Sequence, residues 1–316
     1  MFCKVFSKDT EMVTKSMNVL DGIRLNFSEG GLFSLNIILA LIMFGVALEI
    51  KPDNLKSIFT NPKPILVGLF SQYIVMPAFS FLCVMVLHPA PSVALGMILV
   101  AACPGGNISN FLSLHAKGNI ELAVTLTAII TIVAVFFTPF NFALYGNLYS
   151  EASHIMMPIK IDAWEMIKAV VMLLGIPLVV GMSFSWKFPK LAQRITKPMK
   201  IFSLIAFAGF ILVAFSANFN YFLRYIHLII ILVLVQNSVA FLTGYLTARS
   251  FKLSWKDTKT ISIESGIHNS ALGLVLIFNP KLFNGLGGMA FVAAWWGIWH
   301  LVAGFGLATF YSKRND

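Results

Sequence analysis

The sequence predicts an all-α polytopic membrane protein, and three observations carry that prediction. The first is composition. The 316 residues are 58% hydrophobic and 11% charged, with a mean hydropathy of +0.83. An average soluble domain is about 25% charged, and a soluble interior of this size cannot hide so much apolar surface. The second is the form of the apolar runs. They are continuous rather than alternating, which excludes a β-barrel, and each is long enough for a hydrocarbon core of roughly 30 Å at 1.5 Å per residue. The third is that lysine and arginine collect in alternate loops. An ordinary globular enzyme, a disordered chain and a collagen-like chain are excluded together.

The runs give about nine transmembrane helices, over 32–50, 64–87, 92–114, 120–145, 167–184, 201–217, 226–248, 258–278 and 285–311. Charge sets their orientation. The 185–200 loop alone holds Lys187, Lys190, Arg194, Lys197 and Lys200, whereas the opposite loops hold only Lys160, Arg224 and Lys281, with Lys168 near a span start. The N-terminus is therefore expected outside and the C-terminus in the cytoplasm. The net charge of +10 and pI of about 9.6 reflect this cytoplasmic belt, not a nucleic-acid partner. Residues 1–31 do not read as a cleavable signal, having no apolar stretch before a small-residue cleavage site. Cys3, Cys83 and Cys103 sit in unrelated settings, with neither a disulfide framework nor metal-ligand spacing.

An internal repeat organises the spans. The second and seventh carry mid-span glutamines, Gln72 and Gln236. The third and eighth are interrupted by polar, glycine-containing stretches, CPGGNISN (103–110) and ESGIHNS (264–270). Each pair is five spans apart, and an odd separation reverses direction, so the repeat is inverted, as in secondary transporters. The expected divisions are an extracytoplasmic tail over 1–31, a first repeat of four spans over 32–145 that lacks its leading helix, and an external loop over 146–162. A second repeat of five spans over 163–311 and a cytoplasmic tail over 312–316 complete the chain.

The interruptions are the candidate site. Pro104, Gly105 and Gly106 cannot sustain regular helix, and Gly266 sits in the second break. Backbone unwound at membrane depth must find partners in protein, water or ligand. Freed carbonyls suit a small hard cation, and half-helix N-termini suit an anion. Glu264 is the only Asp or Glu deep within an expected span, with Ser262, Ser265, His268, Asn269 and Ser270 beside it. A carboxylate at that depth marks a functional site by default. His300, among Trp295, Trp296 and Trp299, reads equally as an aromatic packing residue or a substrate-lining one. Tyr73 lines a cavity or packs. No phosphate-binding loop, metalloprotease motif or nucleophile elbow is present, so chemistry on a substrate finds no support.

The stretches IMFGVALEIKP (42–52), SQYIVMP (71–77), CPGGNISNFLSLHAKGN (103–119) and IESGIHNSALG (263–273) resemble the bacterial bile acid:sodium symporter family, within the wider bile acid, arsenite and riboflavin transporter superfamily. The similarity runs from about Asn36 to Phe310. It implies two inverted repeats, a panel domain, and a core domain in which two discontinuous helices cross beside two sodium ions. The first sodium would take Ser109, Asn110, Thr127 and Glu264. The second would take Gln72, Glu264 and the break around Ser265, Ile267 and His268. Gly106, Asn107, Asn269 and His300 would face substrate. Ala123 stands where the family usually has a hydroxyl, His268 where it has glutamine, and Leu301 where an asparagine commonly follows the histidine.

The functional reading is secondary active transport of a small organic anion, bile-acid-like or a smaller carboxylate or sulfonate, across the inner cell membrane. Na+ is the coupling ion, no other cofactor is expected, and the lipid bilayer is the surrounding partner. No protein or nucleic-acid partner is implied. Two rivals are a proton-coupled transporter or exporter of the same fold using Glu264 and His268 as a relay, and, more remotely, an intramembrane enzyme or receptor.

Overall fold

The computed structural model describes residues 20–25, 29–50, 61–153, 162–217 and 219–314. Among these, the chain is helical apart from turns and two isolated β-bridges. Helix α1 spans Glu29–Ala47 and α2 Pro62–Leu87; α3 (Pro91–Ala102) and α4 (Ile108–His115) are the halves of one broken helix. They are followed by α5 (Ile120–Ser153), α6 (Ala163–Lys187), α7 (Pro189–Ala217) and α8 (Phe219–Ser250). A second broken helix is formed by α9 (Trp255–Gly266) and α10 (Ser270–Phe278), and α11 (Gly287–Lys313) closes the chain. Among the described residues, five helices have the length and apolar composition to cross a membrane: α2, α5 and α6, the Ile229–Ser250 part of α8, and α11. This is a multi-pass membrane protein.

Local sequence explains the irregularities. In α2 the backbone makes a π-turn at Ser71–Val75, just before Pro77. Proline has no N–H to give the carbonyl four residues earlier, which is that of Tyr73. Asn141 of α5 supplies the missing donor, its Nδ2 lying 3.0 Å from that carbonyl oxygen. The Tyr73 ring packs rather than lining a cavity, stacking on Phe137 at 4.6 Å between centroids. A second π-turn, Val171–Gly175, precedes Pro177 in α6. Asp162 caps that helix, accepting from the amides of Trp164 and Glu165 at 2.9 and 3.0 Å.

Helix α1 packs against α6 and α7, while α2, α3, α5, α8, α9 and α11 pack among themselves. The centre of this second group is made of the broken helices. Every residue of α3 from Ser92 to Ala102 is buried, and so is α9 from Asp257 to Gly266 despite its polar sequence.

Several expected boundaries move. The 146–162 loop is shorter, because α5 continues to Ser153; 154–161 lie outside the described residues. The basic 185–200 stretch is mostly the first turns of α7, separated from α6 by Phe188 alone. The first span starts at Glu29, inside the expected tail, and α11 extends to Lys313. Lys259, near the start of the expected eighth span, is buried within α9, its Nζ donating to the Arg314 carbonyl at 3.3 Å beside the Trp255 ring. Residues 1–19 and 26–28 of the expected tail, and 315–316 at the other end, lie outside the described residues.

Candidate ion site at the crossing of two broken helices

After Ala102 the backbone turns extended at Cys103, and after Gly266 it does so at Ile267. The two extended stretches meet antiparallel, Gly105 opposite His268. Gly106 donates its amide to the Ile267 carbonyl at 3.1 Å, and Asn269 donates its amide to the Pro104 carbonyl at 2.8 Å. Each break thus supplies hydrogen-bond partners that the other lost on leaving the helix. The broken helix ends are held from the side as well. Gln72 Nε2 donates to the Cys103 carbonyl at 3.3 Å, and Asn237 Nδ2 donates to the Gly266 carbonyl at 2.7 Å. The partner of Gln72 in the second half is therefore Asn237, one residue past the Gln236 that sequence symmetry suggests. Gln236 instead donates to the Met97 carbonyl at 2.8 Å and to Ser80.

Oxygen atoms converge beside the crossing. Glu264 is buried in α9. Its Oε1 lies 3.0 Å from Thr127 Oγ1, which is also 3.1 Å from Asn110 Oδ1 and 3.4 Å from Ser109 Oγ. One hydroxyl proton cannot serve both the carboxylate and the amide oxygen. With Glu264 ionised, the arrangement has more acceptors than protons and a net negative charge. A hard cation is what such a set of oxygens fits. Ala123, one turn before Thr127 on α5 and fully buried, adds no oxygen.

Further acceptors lie unpartnered on α2 and α9. Glu264 Oε2 and Gln72 Oε1 are both buried and accept no hydrogen bond. Ser71 and Ser265 join α2 to α9 directly, hydroxyl to hydroxyl at 2.8 Å. The Ile267 carbonyl already accepts from Gly106, which leaves one lone pair for a further partner. Among the described residues, no lysine or arginine makes an ion pair with Glu264.

Residues 36–225 match the model of the Sodium Bile acid symporter family. The chain belongs to this family. Its similarity to the uncharacterized sodium-dependent transporter YocS of Bacillus subtilis (strain 168) is 31% identity over 298 residues, covering 92% of this chain and 88% of YocS. Identity to the human P3 protein is 33% over 235 residues, covering 74% of this chain; the chain spans about half the length of that relative, 48%. The human ileal sodium/bile acid cotransporter is 26% identical over 255 residues, covering 79% of this chain and 71% of the cotransporter. These relatives are named as sodium-dependent transporters or cotransporters, apart from the P3 protein, and the family is one of transporters, not enzymes. The family match ends at Tyr225, before the second break; the match to YocS covers nearly the whole chain.

Within this symporter family, the departures in the sequence take physical form. His268 does not offer an oxygen. Its ring stands edge-on to Trp296 of α11, 5.4 Å between centroids at 82°, and neither ring nitrogen has a hydrogen-bond partner. No hydrogen bond joins it to Glu264, so the structure does not assemble the relay pair considered from sequence. His300 lies one helical turn beyond Trp296 on α11, buried, with Nδ1 unpartnered. Trp296 and His300 therefore share the face of α11 that His268 meets.

The expected substrate residues separate. Asn269 caps α10, accepting from the Leu272 amide at 3.1 Å, and its Nδ2 lies 3.7 Å from Met43 Sδ of α1. It sits where the two helix groups touch. Asn107 begins α4 with no side-chain capping bond, which leaves its amide group available. The Gly106 amide is already engaged by Ile267, so it cannot also serve a ligand.

Sequence reasoning passed over a latch that holds the two half-helices together at their other ends. Asn119 Nδ2 donates to Asp257 Oδ1 at 2.8 Å, and the Asn119 amide donates to Thr260 Oγ1 at 2.9 Å. The turn after α4 is thereby fixed to the first turns of α9. A Cβ on Gly118 would lie 2.7 Å from Thr260 Oγ1, which explains glycine in HAKGN. The signal was present as an Asn-plus-Asp pair, but 138 residues separate its members.

Proposed function

We propose that this family member is a sodium-coupled symporter of a small organic anion that works by alternating access. The observation that carries the reading is Glu264: a buried carboxylate with an unpartnered oxygen, no lysine or arginine paired to it among the described residues, and threonine, asparagine and serine oxygens gathered beside it. Burying a lone negative charge costs several kcal/mol unless a cation or proton compensates it. Na+ would be held on one side by Ser109, Asn110, Thr127 and Glu264. On the other it would be held by Gln72, Glu264 and break carbonyls near Ser265 and Ile267. Bound cations would close the negative cluster and stiffen the crossing. The group α1, α6 and α7 would then act as panel and the remainder as core. Asn107, Asn269 and His300 would meet the substrate's anionic and polar groups between them. The name of the ileal sodium/bile acid cotransporter favours an organic anion of bile-acid type.

Purified protein in proteoliposomes tests this directly. A radiolabelled candidate anion, such as cholate, should accumulate under an inward sodium gradient. It should not accumulate when potassium replaces sodium or when only a pH gradient is imposed. Accumulation driven by pH alone would remove sodium from the mechanism.

His268 and Ala123 set the expected strength of coupling. With an imidazole and a methyl group where relatives of this type place oxygens, the sodium shells lean on fewer side-chain ligands. Ala123→Ser and His268→Gln together are expected to lower the half-saturating sodium concentration by roughly an order of magnitude, about 1.4 kcal/mol in two added oxygen contacts. Sodium titrations of thermal stability in parallel for the wild type and the double variant measure it.

Orientation is open to an equally direct measurement. Lys281 and Lys190 are both exposed, Lys281 between α10 and α11 and Lys190 at the start of α7. In intact cells, an impermeant maleimide should label Lys281→Cys and spare Lys190→Cys until the membrane is permeabilised. The reverse pattern would invert the proposed topology.

A further inference from the structure

Residues 20–25 do not behave as a tail. Leu20 is fully buried and Ile23 nearly so, both within the main apolar core. Arg24 pairs antiparallel with Leu286, in the turn before α11. Two backbone bonds frame the pair: Leu25 N to the Gly285 carbonyl, and Gly287 N to the Ile23 carbonyl, each 2.9 Å. Asp21 Oδ1 accepts from the Ser92 amide at 2.7 Å, capping the first turn of α3. The receiving loop is shaped for this segment. Gly285 has φ +68, and a Cβ there would lie 2.8 Å from the Leu25 carbonyl oxygen; a Cβ on Gly287 would lie 2.9–3.0 Å from the Ile23 side chain.

The position of this segment in the chain gives it a mechanical consequence. Leu25 is four residues from Glu29, where α1 begins. At no more than about 3.6 Å per residue, that connection reaches roughly 14 Å. The segment is bonded to the starts of α3 and α11, and it precedes by four residues the helix that packs on α6 and α7. It therefore ties the two helix groups together at one end of the molecule.

We propose that residues 20–25 are a strap that holds the two groups closed at the end where α3 and α11 begin, and that it must detach for the crossing site to open there. This rests on the alternating-access reading above, whose topology places that end outside. Strap attachment consists of two buried apolar side chains, Leu20 and Ile23, one edge pairing of two backbone bonds and one cap, all contributed by a single short segment. Gating would then reside in a piece of chain that precedes the transport helices.

A reversible crosslink tests it. Arg24 and Leu286 form a pair not bridged by their own hydrogen bonds, the arrangement that brings Cα atoms to about 4.5 Å, within disulfide range. Arg24→Cys and Leu286→Cys are introduced after replacing Cys3, Cys83 and Cys103. Met43→Cys is added as reporter, because Met43 is buried against Asn269 between the two groups. Maleimide labelling of the reporter is timed in detergent with sodium or potassium. The reduced protein is expected to change its labelling rate at least about fivefold between the two ions. Oxidation should hold the rate at its slower value in both ions, and reduction of the same sample should restore the response, which also shows that the protein is folded. A crosslinked protein that responds to the ions as the reduced one does would overturn the strap. A reduced protein, and a control retaining Arg24 and Leu286, that both ignore the ions would instead overturn alternating access, and the strap's role with it. A second variant works in the opposite direction. Asp21→Ala with Ile23→Gly, without the crosslink, should raise the faster labelling rate several-fold, and an unchanged rate would count against the strap.

Discussion

Glu264→Gln is expected to abolish sodium dependence while leaving a folded protein. Glutamine keeps the volume of the side chain, and its oxygen can still accept from Thr127, whose hydroxyl lies 3.0 Å from Glu264 Oε1. What disappears is the charge. In the absence of bound cation that loss relieves a burial cost, so the variant should be at least as stable as the wild type in potassium. In sodium the comparison reverses. A ligand at a hundred times its dissociation constant stabilises the folded state by about 2.7 kcal/mol. The wild type should gain a stabilisation of that order on exchange of potassium for sodium, and the variant should gain none. Uptake driven by sodium should fall by about a hundredfold or more. Thermal unfolding in the two salts, read beside membrane expression, distinguishes this from a structural role. A variant that still gains stability from sodium would show that the carboxylate is not the cation's main partner.

The sequence made the architecture legible because its strongest signals are local. Apolar runs, Pro104-Gly105-Gly106 and the polar stretch from Glu264 to Ser270 each lie within a single segment, and the structure is helical through most of the apolar runs and breaks at both polar stretches. Ser109, Asn110, Thr127 and Glu264, drawn from three segments, do meet around one hydroxyl. Other features depended on contacts that no local pattern encodes. Asn237 answers a carbonyl freed in another helix, and Asn141 answers one freed by Pro77; an asparagine within an apolar run looks the same whether it packs, caps or rescues. The helix ends also ran past expectation, because Ser153 and Lys187 follow helix-compatible polar residues that hydropathy alone reads as loop. His268 was placed among the ion ligands by position in a motif. Its ring instead turns to Trp296, an orientation decided by a helix that lies 28 residues further along the chain.

Gly105→Ala is expected to damage the site directly. The Cβ of an alanine there would stand 2.5 Å from Glu264 Oε1 and 3.3 Å from its carboxyl carbon. Neither side can yield easily. Gly105 lies in the pairing with His268, fixed on both flanks by backbone bonds at 2.8 and 3.1 Å, and the carboxylate is buried and bonded to Thr127. Overpacking of this kind typically costs about 1–3 kcal/mol. The carboxylate would also have to swing away from the oxygens it shares with Ser109, Asn110 and Thr127. The variant should therefore lose both stability and sodium response, whereas Glu264→Gln loses only the second. Gly306→Ala is the matched control, since a Cβ there meets nothing within 4 Å. Adding Glu264→Asp to Gly105→Ala separates the two effects. Shortening the acid by one methylene makes room for the new methyl group, so the melting temperature should recover by several degrees relative to Gly105→Ala alone. The sodium response should not recover, because the shorter carboxylate no longer reaches the Thr127 hydroxyl. If Gly105→Ala binds sodium like the wild type, the crossing is loose enough to absorb a methyl group, and the geometry assigned to the cation site does not hold.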